Sequence, residues 1–298
     1  MKKISYIIYK ILRTFDRLVY LITKRSFLNW FSDYFNEDFY SSKILNNKKT
    51  NFFVPNQIIQ WRVNTIFSKE PETIDWINKF KNKDRIIFWD IGANIGLYSI
   101  YAAQKFKNIK VYAFEPSTSN LRVLSRNISI NNLYDKIFIN QFPLSDKTKN
   151  NTLMNEPEFI EGWAMNAYGE PFDYQGKKFK VKQKYNIFGT NINFLLDHQL
   201  IEMPNYIKID VDGIEDKIIA GGDKYLKNKR LKSISVEINE DYKSQYERII
   251  KILSKNNFII KYKKHAKFFD QDQKFANTYN YIFEKKWFFL KTASKTRE

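Results

Sequence analysis

An apolar run, Ile86-Ile87-Phe88-Trp89, leads into Asp90-Ile91-Gly92-Ala93-Asn94-Ile95-Gly96-Leu97-Tyr98-Ser99, an acid followed by a glycine loop that opens a helical pattern. Gly92 lets the backbone turn sharply and approach a ligand without a Cβ in the way, and Gly96 lets the helix pack closely on the strand. At the end of such a strand Asp90 suits a cationic or amino-bearing ligand. A second apolar run, Lys110-Val111-Tyr112-Ala113-Phe114, ends in Glu115-Pro116, which places Glu115 25 positions after Asp90. That is close to the spacing at which the acid of a nucleotide-binding βαβ unit meets ribose hydroxyls. A carboxylate there accepts from the 2′- and 3′-hydroxyls together and excludes a 2′-phosphate.

The glycines decide which nucleotide. The dinucleotide pattern G-x-G-x-x-G is absent, because the loop reads Gly92-Ala93-Asn94-Ile95-Gly96, and no G-x-x-x-x-G-K-[ST] run occurs. Pyrophosphate recognition and P-loop phosphoryl transfer are therefore disfavoured. A D-x-G-x-x-x-G loop with an acid on the next strand suits a ligand with an amino-acid tail and a ribose. A third cluster, Ile207-Lys208-Ile209-Asp210-Val211-Asp212-Gly213-Ile214-Glu215, puts three acids where a strand ends. In open α/β sheets the carboxyl ends of strands are where ligands sit.

In these three segments the chain resembles the FkbM family of S-adenosylmethionine-dependent methyltransferases, over roughly residues 85–285. It departs at Asp212, where the family usually has Glu, and at Pro143, where Ala is common. The resemblance implies S-adenosyl-L-methionine as cofactor, with Gly92, Ala93, Asn94 and Gly96 along its methionine portion. It also implies that Asp90 contacts the cofactor directly or through water and that Glu115 holds its ribose; Tyr98, Ser99 and Pro116 complete the expected cofactor-binding set. Methyl transfer from a sulfonium needs an acceptor oxygen aligned and its proton taken. Asp210 is the candidate base or acceptor-positioning group, with Asp212 and Glu215 shaping the site. The alternatives are local: Asp212 as a cap, and Glu215 as a favourable charge at the next helix's N-terminus. Glu237 and Asn239 end the following strand, but two or three oxygen groups do not define a metal site, and none is expected.

Composition narrows the chemistry further. With no cysteine, disulfides, zinc–thiolate sites and cysteine nucleophiles are excluded, and two histidines do not make a histidine-rich metal site. His198 reads as a solvated or capping residue, and His265 as part of a charged strand edge. Among 298 residues 43% are hydrophobic, enough for a sizeable core despite the charge. The net charge of +18 fits either coding bias or an anionic partner, and charge alone does not choose.

From residue 85, short apolar runs alternate with helical stretches, the signature of βαβ units. Strands are expected near 86–90, 109–114, 136–141, 205–210, 232–238, 257–262 and 279–284. The expected fold is α/β and Rossmann-like: a mostly parallel seven-stranded sheet with helices on both faces and an N-terminal helical extension. The domain spans 85–286 with an irregular insertion at about 145–204, flanked by a basic extension 1–84 and a basic tail 287–298. Within the extension, a helix is expected from Glu72 to Phe80, and the Lys/Asn-rich stretch Asn46 to Asn51 has no assigned role. Ile4, Ile7, Ile8, Ile11, Leu12, Phe15, Leu18, Val19 and Ile22 recur three and four apart amid seven Lys and Arg residues. Such a helix either packs on the core domain, the favoured reading, or lies through residues 1–30 in the headgroup layer of an anionic membrane. With no run of about twenty apolar residues and no secretory h-region, the expected location is cytoplasmic, or peripheral at the inner face of the membrane.

The leading function is thus O-methylation of a sugar, a glycan or a related small-molecule biosynthetic intermediate. Methylation of RNA or protein is the alternative with the same cofactor, although no nucleic-acid motif is present and nucleic acid is not the expected partner. A non-catalytic nucleotide-binding scaffold at a membrane surface would instead show decay of the glycine loop, which is intact.

Overall fold

A computed structural model describes residues 1–81, 83–148, 150–266, 269–270 and 275–286. The basic tail 287–298 lies outside the described residues. The chain opens with helices α1 (Lys2–Thr23) and α2 (Leu28–Asp38), a hairpin of strands β1 (Tyr40–Leu45) and β2 (Lys48–Phe53), and helices α3 (Gln57–Asn64) and α4 (Pro71–Asn78). Alternation follows: β3 (Ile86–Ile91), α5 (Leu97–Lys105), β4 (Ile109–Phe114), α6 (Thr118–Ile130) and β5 (Ile137–Asn140). A segment of β6 (Asn150–Glu156), β7 (Ala167–Tyr168), β8 (Gln183–Gly189) and α7 (Ile192–Asp197) comes next. Strand β9 (Tyr206–Ile209), helix α8 (Glu215–Ala220), strand β10 (Ser233–Asn239), helix α9 (Lys243–Lys255) and strands β11 (Phe258–Lys264) and β12 (Thr278–Lys285) complete it.

The main sheet has seven strands in the order β11-β12-β10-β9-β3-β4-β5. The pairs β10/β9, β9/β3, β3/β4 and β4/β5 are parallel, while β12 runs antiparallel to both neighbours. All seven strands fall where the apolar runs place them. Strand β3 is buried at every position, as a central parallel strand must be when helices cover both faces. Ile86 and Phe88 face a layer containing Ile59, Ile77, Ile100 and Val123, while Ile87, Trp89 and Ile91 face Leu195, Ile218, Ile249 and Leu253. The fold is Rossmann-like α/β.

Packing does not follow a division at residue 84. Leu45, Phe52, Phe53, Ile59, Val63, Ile74, Trp76 and Ile77 are buried in the same core as β3 and α5. Trp76 Nε1 donates to Ser233 Oγ at 2.9 Å, and Asn280 Nδ2 donates to Glu72 Oε1 at 2.7 Å, so α4 is tied to β10 and β12. The Lys/Asn-rich stretch is the turn of the β1–β2 hairpin, with Asn46 and Asn47 both at positive φ (49° and 62°). Consecutive left-handed residues are what a tight hairpin turn requires, and Asn tolerates them best after Gly.

The expectation that the first helix packs on the core is overturned: α1 has no buried residue, and its Ile4, Ile7, Ile8, Ile11, Phe15 and Leu18 are exposed. Between β5 and β9 the chain is more regular than the expected insertion. Strands β6, β7 and β8 form an antiparallel sheet, and the burial of β8 alternates residue by residue. No helix among the described residues is long and apolar enough to cross a membrane.

Candidate active site

Strand register builds the floor of the site. Asp90 pairs with Lys208 and Lys208 with Ser235, so one row across β3, β9 and β10 carries an acid, a cation and a hydroxyl. Side chains two apart on a strand share a face, which brings Asp210 to the same side as Lys208. Lys208 Nζ, buried with its whole side chain, donates to Asp210 Oδ2 at 2.6 Å. Burial works against the charge on Asp210, but Lys208 and then Lys69 outweigh it and hold the carboxyl below the ordinary aspartate range.

The glycine loop rises from β3. Gly92 has φ +85°, and a Cβ there would lie 1.8 Å from the Asp210 backbone oxygen. The close approach that excludes a side chain is therefore to the end of β9 itself. Gly96, at φ +86°, precedes α5, and a Cβ there would lie 2.5 Å from Leu124 Cδ1 of α6. Asp90 sits fully buried beneath the loop, accepting from Ser99 Oγ at 2.6 Å, with its Oδ1 unpartnered. Ser99 is buried as well, so both belong to the loop's foundation rather than its surface. Glu115 is buried and joins the loop to β4: Asn94 N donates to its Oε2 at 2.7 Å and Ser117 N to its Oε1 at 2.9 Å.

Three hollows meet at Gly92, which lines all of them. One is an apolar slot between Phe114, Pro116, Phe142, Pro143 and Leu144. A second, lined by Ala93, Asn94 and Tyr98, carries the charges of Arg62, Lys69, Glu70, Lys208 and Asp210. The third is a cleft of about 1100 Å³, counted to its open mouth, with Trp61 and Trp163 beside Asp210, Asp212 and Glu237. Asp212 lies at the cleft, at φ +62°, and its Oδ2 accepts from Met165 N at 2.7 Å. It therefore fastens the 160–166 loop instead of capping a helix. Glu215 is not brought to the cleft: it is buried and accepts from Val211 N (3.2 Å), Gly213 N (3.1 Å) and Gln245 Nε2 (2.9 Å), holding the turn after β9 from below.

Several site residues have no expectation in the sequence. Arg62, Lys69 and Glu70 come from the segment read as an extension, and Trp61, Trp163 and Met165 from loops and a helix end. Lys69 Nζ donates to Glu70 Oε1 at 2.5 Å, and the carboxylate oxygens of Glu70, Asp210 and Glu237 lie within 4.8 Å of one another. Lys69 and Lys208 compensate two of these three acids, so the trio is part of a mixed charge network. The Glu237 carboxylate makes no hydrogen bond to a described residue. Burial, and then the charge of Asp210, raise its carboxyl well above the ordinary range. Lys208 carried a readable signal: a cation in an otherwise apolar buried strand, two residues before an acid. His198 does cap a helix, α7, with Nδ1 3.0 Å from Phe194 O.

A seven-stranded α/β sheet whose β3 ends in a glycine loop tied to an acid on β4 defines the class of Rossmann-like S-adenosylmethionine methyltransferases. A family model described as the methyltransferase FkbM domain matches residues 90–260, and the chain belongs to that family. Methyltransferase sdnD of Sordaria araneosa is 27% identical over 154 residues, which cover 45% of this chain and 60% of that protein. Among solved structures, a putative rRNA-methylase from Clostridium thermocellum aligns at TM-score 0.43 and 12% identity, covering 72% of this chain and 94% of that one. TrmK of M. capricolum, solved with S-adenosyl-homocysteine, aligns at TM-score 0.38 and 14% identity, covering 72% and 67%.

The cofactor of this family is S-adenosylmethionine, and the residues present fit it. Asn94 Oδ1, Trp163 Nε1 and Asn166 Oδ1 are buried polar atoms without a partner around the three hollows. Buried polar groups are ordinarily satisfied, so these are places for a polar ligand. The apolar slot at Pro116 and Phe142 is shaped for a flat base, and Glu115 retains free lone pairs for ribose hydroxyls.

Burial also lifts Glu115 and Glu215 to about 7 each. A carboxyl whose folded pKa exceeds its unfolded value binds more protons folded than unfolded between the two, so stability is fullest below the unfolded value and falls as pH rises through the folded one. Urea denaturation of the ligand-free chain should therefore show it less stable at about pH 7.5 than at about pH 5, by on the order of 5 kcal/mol for the two carboxyls together. A chain equally stable at both would mean that these carboxyls are not raised.

Proposed function

We propose that the chain transfers a methyl group to a hydroxyl of a sugar or glycan. The observation that carries this reading is the composition of the 1100 Å³ cleft beside the glycine loop, where Trp61 and Trp163 stand next to Asp210, Asp212 and Glu237. Flat aromatic faces suit the C–H faces of a sugar ring, and carboxylates accept from its hydroxyls. Bound S-adenosylmethionine supplies an activated methyl group. The chain's part is to hold the cofactor through Gly92, Ala93, Asn94, Glu115 and Pro116, to align an acceptor oxygen, and to receive its proton. Asp210, ionised and engaged by Lys208, is a weak base and acts by positioning. Glu237, unpartnered and raised, has the basicity to take the proton.

Two measurements test this. Label from methyl-tritiated S-adenosylmethionine should enter members of a panel of glycosides and nucleotide sugars, and incorporation into RNA or protein instead would sink the sugar reading. With an accepted sugar, the rate should rise with pH through the titration of Glu237, and Asp210→Asn should move that limb to lower pH because a neighbouring negative charge is gone. Glu237→Gln should lose about 10²–10⁴-fold in kcat. An unmoved limb in the first variant, or full activity in the second, would take the proton away from Glu237.

A further inference from the structure

We propose that α1 and α2 together form a foot that lies in the headgroup layer of an anionic membrane. The inference is independent of which acceptor the cleft takes. Ile4, Ile8, Ile11, Phe15, Leu18 and Ile22 share one face of α1, and each is more than half exposed. A contiguous apolar stripe left open to water marks a surface that binds something. Helix α2 does not cover it. Only Leu12, Asp16 and Val19, on the flank of the stripe, are half-buried along α1.

Helix α2 extends the stripe instead. Aromatic rings run from Phe15 to Phe27 (5.7 Å between centroids), Phe31 (5.9 Å) and Phe35 (6.0 Å), and Trp30 is 62% exposed. The angle between the helices is set by Asp16, the single acid among residues 1–25. Its carboxylate accepts from Ser26 Oγ at 2.9 Å, Phe27 N at 2.8 Å and Leu28 N at 3.2 Å, which satisfies the amides at the start of α2. With Asp16 so used, none of Lys2, Lys3, Lys10, Arg13, Arg17, Lys24 and Arg25 forms an ion pair with a described residue. Lys10 and Arg13 lie instead over the rings of Tyr6 and Tyr9, at 5.4 and 5.9 Å.

Charge chooses the occupant. On a helix these cations fall opposite the stripe and on its flanks, which is the arrangement of helices that lie in the membrane plane with apolar residues sunk and basic residues among the headgroups. A nucleic acid would use the cations and leave the stripe wet. A second copy would cover the stripe while bringing two sets of uncompensated cations together, without a counter-charge.

The test is cosedimentation of the full chain with large vesicles of phosphatidylcholine alone and of phosphatidylcholine with an equal share of phosphatidylglycerol. Binding is expected on the anionic vesicles, weaker at high salt and at least about tenfold weaker on the neutral ones. Ile11→Gln with Leu18→Gln keeps charge and helix propensity and should weaken binding at least about tenfold, because two sunk side chains lose their apolar burial. Arg13→Gln with Arg17→Gln should weaken it by roughly fivefold per charge at low salt. Both pairs are exposed, so unchanged S-adenosylmethionine affinity checks that the domain stays folded. No sedimentation with anionic vesicles, or sedimentation untouched by Ile11→Gln with Leu18→Gln, overturns the proposal. A dimer that the same pair converts to monomer, with no vesicle binding, gives the stripe to a second copy and overturns it equally.

Discussion

Gly92→Ala should leave no measurable binding of S-adenosylmethionine in a calorimetric titration, and should destabilise the chain by about 3 kcal/mol or more. Two costs combine at this position. A residue with a Cβ at φ +85° is strained by itself, by about 1–2 kcal/mol. Here the new Cβ would also lie 1.8 Å from the carbonyl oxygen of Asp210, which follows β9 directly and whose N–H donates to Ile91 O at 3.0 Å. Either β3 and β9 separate at their carboxyl ends or the loop lifts, and all three hollows share Gly92, so each is deformed. Gly169→Ala separates the two costs: its φ is +95°, but nothing lies within 4 Å of the added Cβ. That variant should bind cofactor normally and lose only the backbone penalty. Equal destabilisation of the two variants would mean that the clash at Asp210 is relieved at no cost.

Lys208→Met should cost about 3–5 kcal/mol, the penalty of leaving a buried charge without its partner. Lys208 is buried between Asp90 and Asp210, and those acids together with Glu70 raise its own pKa above the ordinary lysine value despite burial. The pH dependence gives the sharper test. In the natural chain the depressed pKa of Asp210 contributes stability above its unfolded value, lost as pH falls through the folded one. Without Lys208, burial at Asp210 is opposed only by Lys69 and Arg62, so its folded pKa rises, and that of Asp90, already raised by burial in the natural chain, rises further. Urea midpoints should show the variant gaining more stability than the natural chain between about pH 7 and about pH 5. Adding Asp210→Asn should restore part of the loss at about pH 7. A variant with the same pH slope as the natural chain would remove Lys208 from the charge balance of the site.

What the residues reveal before folding depends on how far apart in the chain the partners lie. All seven strands of the main sheet are legible from short segments rich in apolar residues: β3 is apolar at every position but Asp90, while β10 sets Ile234, Val236 and Ile238 between polar residues. Gly92 and Glu115 are legible because their spacing is local to one βαβ unit. Lys69, Glu70 and Arg62 are not, since they reach Asp210 across some 140 residues of intervening chain, by the packing of α3 and α4 against one face of the sheet. The β1–β2 hairpin had a signal, the consecutive asparagines at its turn, obscured by the lysines around them. Glu215 shows the opposite case. Its place in the motif suggested the cleft, but three donors from the turn and α9 claim its carboxylate and face it inward.

The 160–166 loop that carries Trp163 is held almost entirely by its own main chain. Asn56 Nδ2 donates to Glu161 O, Arg62 Nε to Gly162 O, and Asn94 and Asn120 Nδ2 to Trp163 O, while Gly162 N and Met165 N donate to Asn120 Oδ1 and Asp212 Oδ2. Because the fastenings grip peptide groups, the path of the loop is indifferent to most of the side chains it displays. Descendants of this gene can therefore exchange the residue at position 163 or 164, and with it the shape offered to an acceptor, while the scaffold underneath is inherited unchanged.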